Sequence, residues 1–118
     1  MSKRDDIVLL QDIQECIDKI TKYINGLNLS MFLSDEKTQD AVARNFEIIG
    51  EAAARMSEEF KIANPGVHWR ILKDFRNKLI HVYEIIDYSI VWNAIQNELF
   101  LIYQQIKNIL NNITGKEI

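Results

Sequence analysis

Four stretches of this chain repeat apolar residues at spacings of three and four, and almost nothing interrupts them. The first series is Ile7, Leu10, Ile13, Ile17, Ile20, Ile24 and Leu27; the second is Val42, Phe46, Ile49, Ala53 and Met56. The third is Ile71, Leu72, Phe75, Leu79 and Val82, and the fourth is Trp92, Ile95, Leu99, Ile102, Ile106, Ile109 and Ile113. A helix turns about 100° per residue, so side chains at these spacings share one face. One proline and four glycines in 118 residues leave few places for turns, which favours a few long helices over many short strands. The spacing predicts an all-α fold, an antiparallel four-helix bundle with residues 1–118 as one domain.

The punctuation between the series sets the expected boundaries. The first helix runs over about 5–25, with Asp5 and Asp6 at its positive end and Gly26 and Asn28 at its stop. Residues 29–33 make a short apolar link or one turn of helix, and Ser34 or Asp35 caps a second helix reaching to about Met56. On its flank, Ala43, Gly50 and Ala54 leave room for a close neighbour. A glycine inside a helix costs about 1 kcal/mol relative to alanine, so Gly50 implies a packing reason. Arg44, Glu47 and Glu51 lie away from the apolar stripe, either as a solvated face or as a contact with a second subunit. Residues 57–63 add a short helical turn, and Asn64-Pro65-Gly66 is the clearest break. Trp69 anchors the third helix, while His68 reads as a surface or capping residue. Asp87 or Ser89 caps the fourth helix, Tyr88 to about Asn112, which Thr114-Gly115 ends.

The polar chemistry concentrates in Arg76-Asn77-Lys78-Leu79-Ile80-His81-Val82-Tyr83. An imidazole can move protons near neutral pH, and a guanidinium can clamp a phosphate through two hydrogen bonds. Together they suggest phosphodiester chemistry without a metal. As a continuous α-helix, this segment places Asn77 and His81 within reach of one another at i,i+4, and stacks Tyr83 two turns above Arg76. Arg76 and His81 fall about 140° apart at that pitch, too wide for a tight pair on one helix. A second copy of the helix, brought by a homodimer, closes the site more naturally, and the apolar Ile80 on that polar flank suits such a contact. Arg70, Lys73 and Arg76 share the flank. The net charge is −3, so any affinity for nucleic acid must come from such a local cationic patch.

Other classes find little support. The single cysteine, Cys16, cannot form an intrachain disulfide, sits in an apolar helical stretch and reads as a small core residue. No Cys/His set has zinc spacing, and no metal or cofactor site is expected. The N-terminus has no signal-peptide pattern and no apolar run nears the ~20 residues that span a bilayer, so a cytoplasmic location without membrane association is the expectation.

In Arg76, His81 and Tyr83, spaced as Arg, four residues, His, one residue, Tyr, the sequence resembles the HEPN superfamily, specifically its HepT-like (DUF86) group. The resemblance extends to residues 38–45, Ile48-Ile49-Gly50-Glu51-Ala52, Pro65 with Trp69 and Arg70, and Asp87 with Val91-Trp92. Similar proteins often carry a proline near 97–100, where this chain has Asn97-Glu98-Leu99-Phe100; the expected consequence is a straighter last helix. The resemblance implies a metal-independent endoribonuclease, the toxin of a HEPN/MNT toxin–antitoxin pair. Its site would form between two subunits, with catalytic Arg76, His81, Asn77 and Tyr83 and RNA held by Arg70, Lys73 and Arg76. It also implies an MNT-type nucleotidyltransferase antitoxin that adds AMP to Tyr83. Two other readings use the same fold: a non-catalytic adaptor or substrate-binding partner of a small nucleotidyltransferase, and a purely structural dimeric bundle.

Overall fold

The computed structural model describes residues 3–79 and 85–117, with side chains from Asp5 to Leu79 and from Ile85 to Ile113. Every regular element among them is helical. Helix α1 (Lys3–Ile24) packs along α3 (Glu36–Arg55) and α7 (Phe100–Glu117), and the short α2 (Leu29–Leu33) closes one end. After α4 (Glu58–Ala63) comes α5 (Trp69–Asp74), which lies against α3 and continues as a 3₁₀ helix over Phe75–Leu79. The last arm is α6 (Tyr88–Ala94), a π-helical turn over Ile95–Leu99, and α7. The result is the expected bundle of four helical arms, with α2 and α4 as short extra helices where short turns were expected.

The apolar series supply its core. Ile13, Ile17 and Ile20 from α1 meet Val42, Phe46 and Ile49 from α3, with Leu72, Phe75, Ile95, Leu99, Ile102 and Ile106 completing one buried cluster. Phe46 and Phe75 stack with ring centroids 4.8 Å apart, which fixes the third arm on α3. Phe32 of α2 is fully buried against the rings of Tyr88 and Trp92. Cys16 lies in the core as expected, where burial pushes its thiol up to about 11.

Caps set the helix starts. The Asn28 side chain accepts from Met31 N–H at 2.8 Å, and Asp35, rather than Ser34, accepts from Thr38 N–H at 3.1 Å. Those bonds to Thr38, from its hydroxyl first, hold the Asp35 carboxyl below its usual range. Asp87 accepts from Ser89 N–H at 3.0 Å at the start of α6. Gly26, with φ of +82°, provides the left-handed residue that turns the chain out of α1.

Asp6 does more than complement the dipole of α1. It is buried, and its carboxylate accepts from both Ser57 N–H, at 2.8 Å, and Ser57 Oγ–H, at 2.6 Å. Ser57 in turn caps α4 through a 3.2 Å bond from Phe60 N–H. One carboxylate thus pins the start of α1 to the start of α4.

Three sequence expectations are corrected. The third arm is not α-helical throughout: it tightens at Phe75. Phe75, its first 3₁₀ residue, is fully buried and stacks on Phe46 of α3. The last arm, though it lacks proline, is not α-helical throughout, because a π turn over Ile95–Leu99 interrupts it. Nineteen residues separate the buried Val91 and Leu110, which in an uninterrupted helix would leave them about 100° apart. The π turn absorbs one residue and removes that drift, so Leu110 is buried while Ile109 and Ile113 are only half-buried. Finally, α7 continues through Thr114 and Gly115 to Glu117. A glycine there costs the helix only about 1 kcal/mol and is no obligatory stop. Among the described residues no helix is long and apolar enough to cross a membrane.

Candidate nucleic-acid interface

The third arm is fixed at its start before it presents any charge. Trp69 is half-buried, its ring edge-on to Phe60, and its indole N–H donates to the Asn64 carbonyl at 3.0 Å. His68 is exposed and its side chain makes no capping bond. Instead, Gln105 of α7 accepts from His68 N–H at 3.1 Å, and its amide meets His68 Nδ1, with Nε2 at 2.8 Å and Oε1 at 3.3 Å. Two elements thus hold the start of α5, and the direction of the residues after it follows.

Arg70, Ile71, Lys73, Asp74 and Asn77 line an open groove of about 540 Å³. Arg70, Lys73, Arg76 and Asn77 are all exposed. Among the described residues no carboxylate pairs with Arg70, Lys73 or Arg76, whereas Lys78 is shared between Asp74 at 3.7 Å and Glu98 at 3.9 Å. Within the described residues, then, three cations on this arm stand without a carboxylate, and the fourth is largely offset. Arg76 lies outside the groove wall, at the place where the arm touches α3.

The 3₁₀ winding alters how these groups meet. Residues three apart line up at three residues per turn, so Asn77 stands over Asp74, and its amide donates to Asp74 Oδ1 at 2.8 Å. The same winding sets Arg76 nearer to Lys73 in azimuth than the 60° offset of an α-helix. The sequence signals Asp74 only through its i,i+3 relation to Asn77 and its i,i+4 relation to Lys78, both of which the fold turns into contacts. His81, Tyr83 and Ile80 lie outside the described residues, as does Val82 of the expected stripe. The expected Asn77–His81 contact therefore has one described member, and that member is bonded to Asp74.

Gly50 has the packing reason the sequence implied. A Cβ built on it would lie 2.9 Å from Arg76 Cβ and 3.0 Å from Arg76 N. On the outer face of α3, Arg44 and Glu47 pair with each other at 3.4 Å, both exposed, and Glu51 is exposed too. Among the described residues no group of three or more His, Cys, Asp or Glu side chains gathers as a metal-ligand set.

The family model for "Ribonuclease HepT-like" matches residues 13–111, which take in α3, the groove and the Arg-His-Tyr motif. The chain belongs to the HepT-like ribonuclease family. Its HepT-like relatives include a Methanocaldococcus jannaschii protein named "Putative RNase MJ0127", 37% identical over 117 residues, covering 99% of this chain and 97% of that protein. A Thermococcus cleftensis protein named "Probable ribonuclease HepT" is 37% identical over 97 residues, 82% of this chain and 88% of its own. A Caldanaerobacter subterraneus protein named "Putative RNase TTE0752" is 34% identical over 98 residues, 83% of this chain and 87% of its own. No solved structure gives a significant match to this HepT-like chain.

Proposed function

We propose that this protein is a metal-independent endoribonuclease, the toxin of a HEPN/MNT toxin–antitoxin pair, acting in the cytoplasm as a homodimer. One observation carries the reading: on a HepT-like chain of net charge −3, Arg70, Lys73 and Arg76 stand exposed on one arm with no carboxylate partner among the described residues. A ribonuclease needs such a patch to hold a phosphate backbone, and an acidic chain has no other evident reason to keep one unpaired.

In the proposed reaction His81 takes the proton from an RNA 2′-hydroxyl. The 2′-oxygen attacks the adjacent phosphorus, and the bond to the 5′-oxygen breaks. The leaving oxygen receives its proton from His81 of the second subunit, so one imidazole serves as base and the other as acid. Arg76 stabilises the charge that develops on the phosphorane oxygens, where a fixed guanidinium acts most strongly. Asn77 orients the phosphate or the imidazole, and Tyr83 supplies a further hydrogen bond. The products are a 2′,3′-cyclic phosphate, or the monophosphate it hydrolyses to, and a 5′-hydroxyl. The antitoxin, an MNT-type nucleotidyltransferase, transfers AMP from ATP to the Tyr83 oxygen and releases pyrophosphate. The added phosphodiester puts bulk and negative charge into the motif and opposes the entry of RNA.

Expression alone and with a small MNT-type nucleotidyltransferase tests the pairing. Growth arrest by the chain, relieved both by His81→Ala and by the transferase with a mass gain of one AMP lost in Tyr83→Phe, is the expected result. Growth unaffected by the unmodified chain contradicts the toxin reading and favours the adaptor. Cleavage leaving only 3′-hydroxyl ends contradicts the mechanism.

A further inference from the structure

We propose that Gly50 is a positioning residue for Arg76: by having no side chain it lets α3 set where the guanidinium stands. The inference rests on the proposed role of Arg76 and goes beyond it. Gly50 is buried inside α3, about four turns from its start and more than one turn before its end, where a helix gains nothing from glycine. What it gains is proximity. A Cβ at position 50 would meet Arg76 Cβ at 2.9 Å, Arg76 N at 3.0 Å and Arg76 Cα at 3.4 Å, and no other residue is nearer. These are atoms at the root of the side chain and in the backbone, so no rotamer change relieves the contact.

The neighbouring packing makes the position specific. Phe75, one residue before Arg76, stacks on Phe46, one turn before Gly50 on α3. Phe75 is fully buried and Arg76 exposed, so the chain passes from core to surface at the point where it touches Gly50. Here the arm winds as a 3₁₀ helix. Any side chain at position 50 must lift Arg76 outwards. To bring the closest contact from 2.9 Å to ordinary separation requires a shift of about half an ångström or more. The groove residues Arg70 and Lys73, on the preceding turns of α5, keep their anchors at Trp69 and His68, so the displacement falls on Arg76.

A transition-state contact is sensitive to such displacements. Misplacement by about 1 Å costs on the order of 100-fold in rate, so a shift of half that size lowers kcat by about tenfold or more. Binding of RNA through Arg70 and Lys73 is largely retained, so KM changes little and the loss appears in kcat.

The test is a pair of double-mutant cycles on the full chain. In the first, Gly50→Ala lowers kcat for RNA cleavage at least tenfold with KM within about twofold, and costs nothing further in an Arg76→Ala background. In the second, thermal unfolding reads the contact without reference to activity: Gly50→Ala lowers Tm less in an Arg76→Gly background, which lacks the Cβ that the alanine meets, than in the wild type. Full kcat in folded Gly50→Ala overturns the proposal. So does equal destabilisation in both backgrounds, or a Gly50→Ala chain that cannot fold, since the glycine would then serve the core rather than Arg76. If wild type cleaves no RNA while the unfolding cycle shows the coupling, the functional reading of Arg76 fails and the positioning stands.

Discussion

Charge pairing on the third arm predicts which lysine matters to RNA and which does not. Arg70, Lys73 and Arg76 have no carboxylate partner among the described residues, while Lys78 is held between Asp74 and Glu98 at 3.7 and 3.9 Å. If each free cation neutralises one phosphate of a single strand, the three give a slope of about −2 in log K against log salt, at about 0.7 per phosphate. Between about 50 and 200 mM salt, affinity then falls roughly 20-fold per chain. Lys73→Ala and Arg70→Ala should each reduce the slope by about 0.7, whereas Lys78→Ala, which also frees two carboxylates, should leave it nearly unchanged. Fluorescence anisotropy of a labelled single-stranded RNA across a salt series measures this, in a His81→Ala background to prevent cleavage. The reasoning is refuted if Lys78→Ala lowers the slope as much as Lys73→Ala, or if the parent slope is near zero. In either case the distinction between paired and free cations, read from side-chain geometry, does not govern binding.

Three further predictions concern the frame that carries the patch. Asp6→Ala should cost about 2–4 kcal/mol in urea unfolding, since it removes two charge-assisted bonds to Ser57 in a buried setting, and Asp6→Asn about half as much; a loss under about 0.5 kcal/mol would show that the link is incidental. Gly26→Ala should cost about 1–2 kcal/mol because its φ is +82°, with Gly26→Asn milder; equal stability of the alanine variant contradicts the assigned backbone. Cys16 should be inert to a thiol reagent at pH 8 in the native state and react fully in urea. Its folded thiol titrates near 11, against about 8.5 when unfolded, so the folded state holds the proton more tightly. Stability from this group is complete below about pH 8.5 and declines as pH rises towards 11, which unfolding across that range measures.

The apolar series were enough to place four helical arms, because Ile13, Val42, Phe46, Leu72, Ile95 and Ile102 sit where a 3.6-residue repeat puts them, in the core. They were not enough to reveal the 3₁₀ segment or the π turn. Spacings of three and four suit all three windings, and the choice between them is made by tertiary contacts: Gly50 against Arg76 in one case, and the need to bury both Val91 and Leu110 in the other. The Asp6–Ser57 clamp joins residues 51 apart, a distance at which local pattern carries no information. Of the site, Arg70, Lys73 and Asn77 were legible from their shared flank, and they do line one groove. Asp74 was not, because a carboxylate among cations reads as surface salt until its bonds to Asn77 and Lys78 are seen. Gly50 was legible as a question, answered only by the backbone that meets it.

The most direct test of the account is RNA cleavage in EDTA by wild type, His81→Ala and Arg76→Ala, each confirmed folded, with Tyr83 shown by mass to be unmodified. The account predicts cleavage by wild type that is lost in His81→Ala and lowered about 100-fold or more in Arg76→Ala, with 2′,3′-cyclic or monophosphate ends. Cleavage surviving in both variants, or none by clean wild type across several RNA pools, would contradict it.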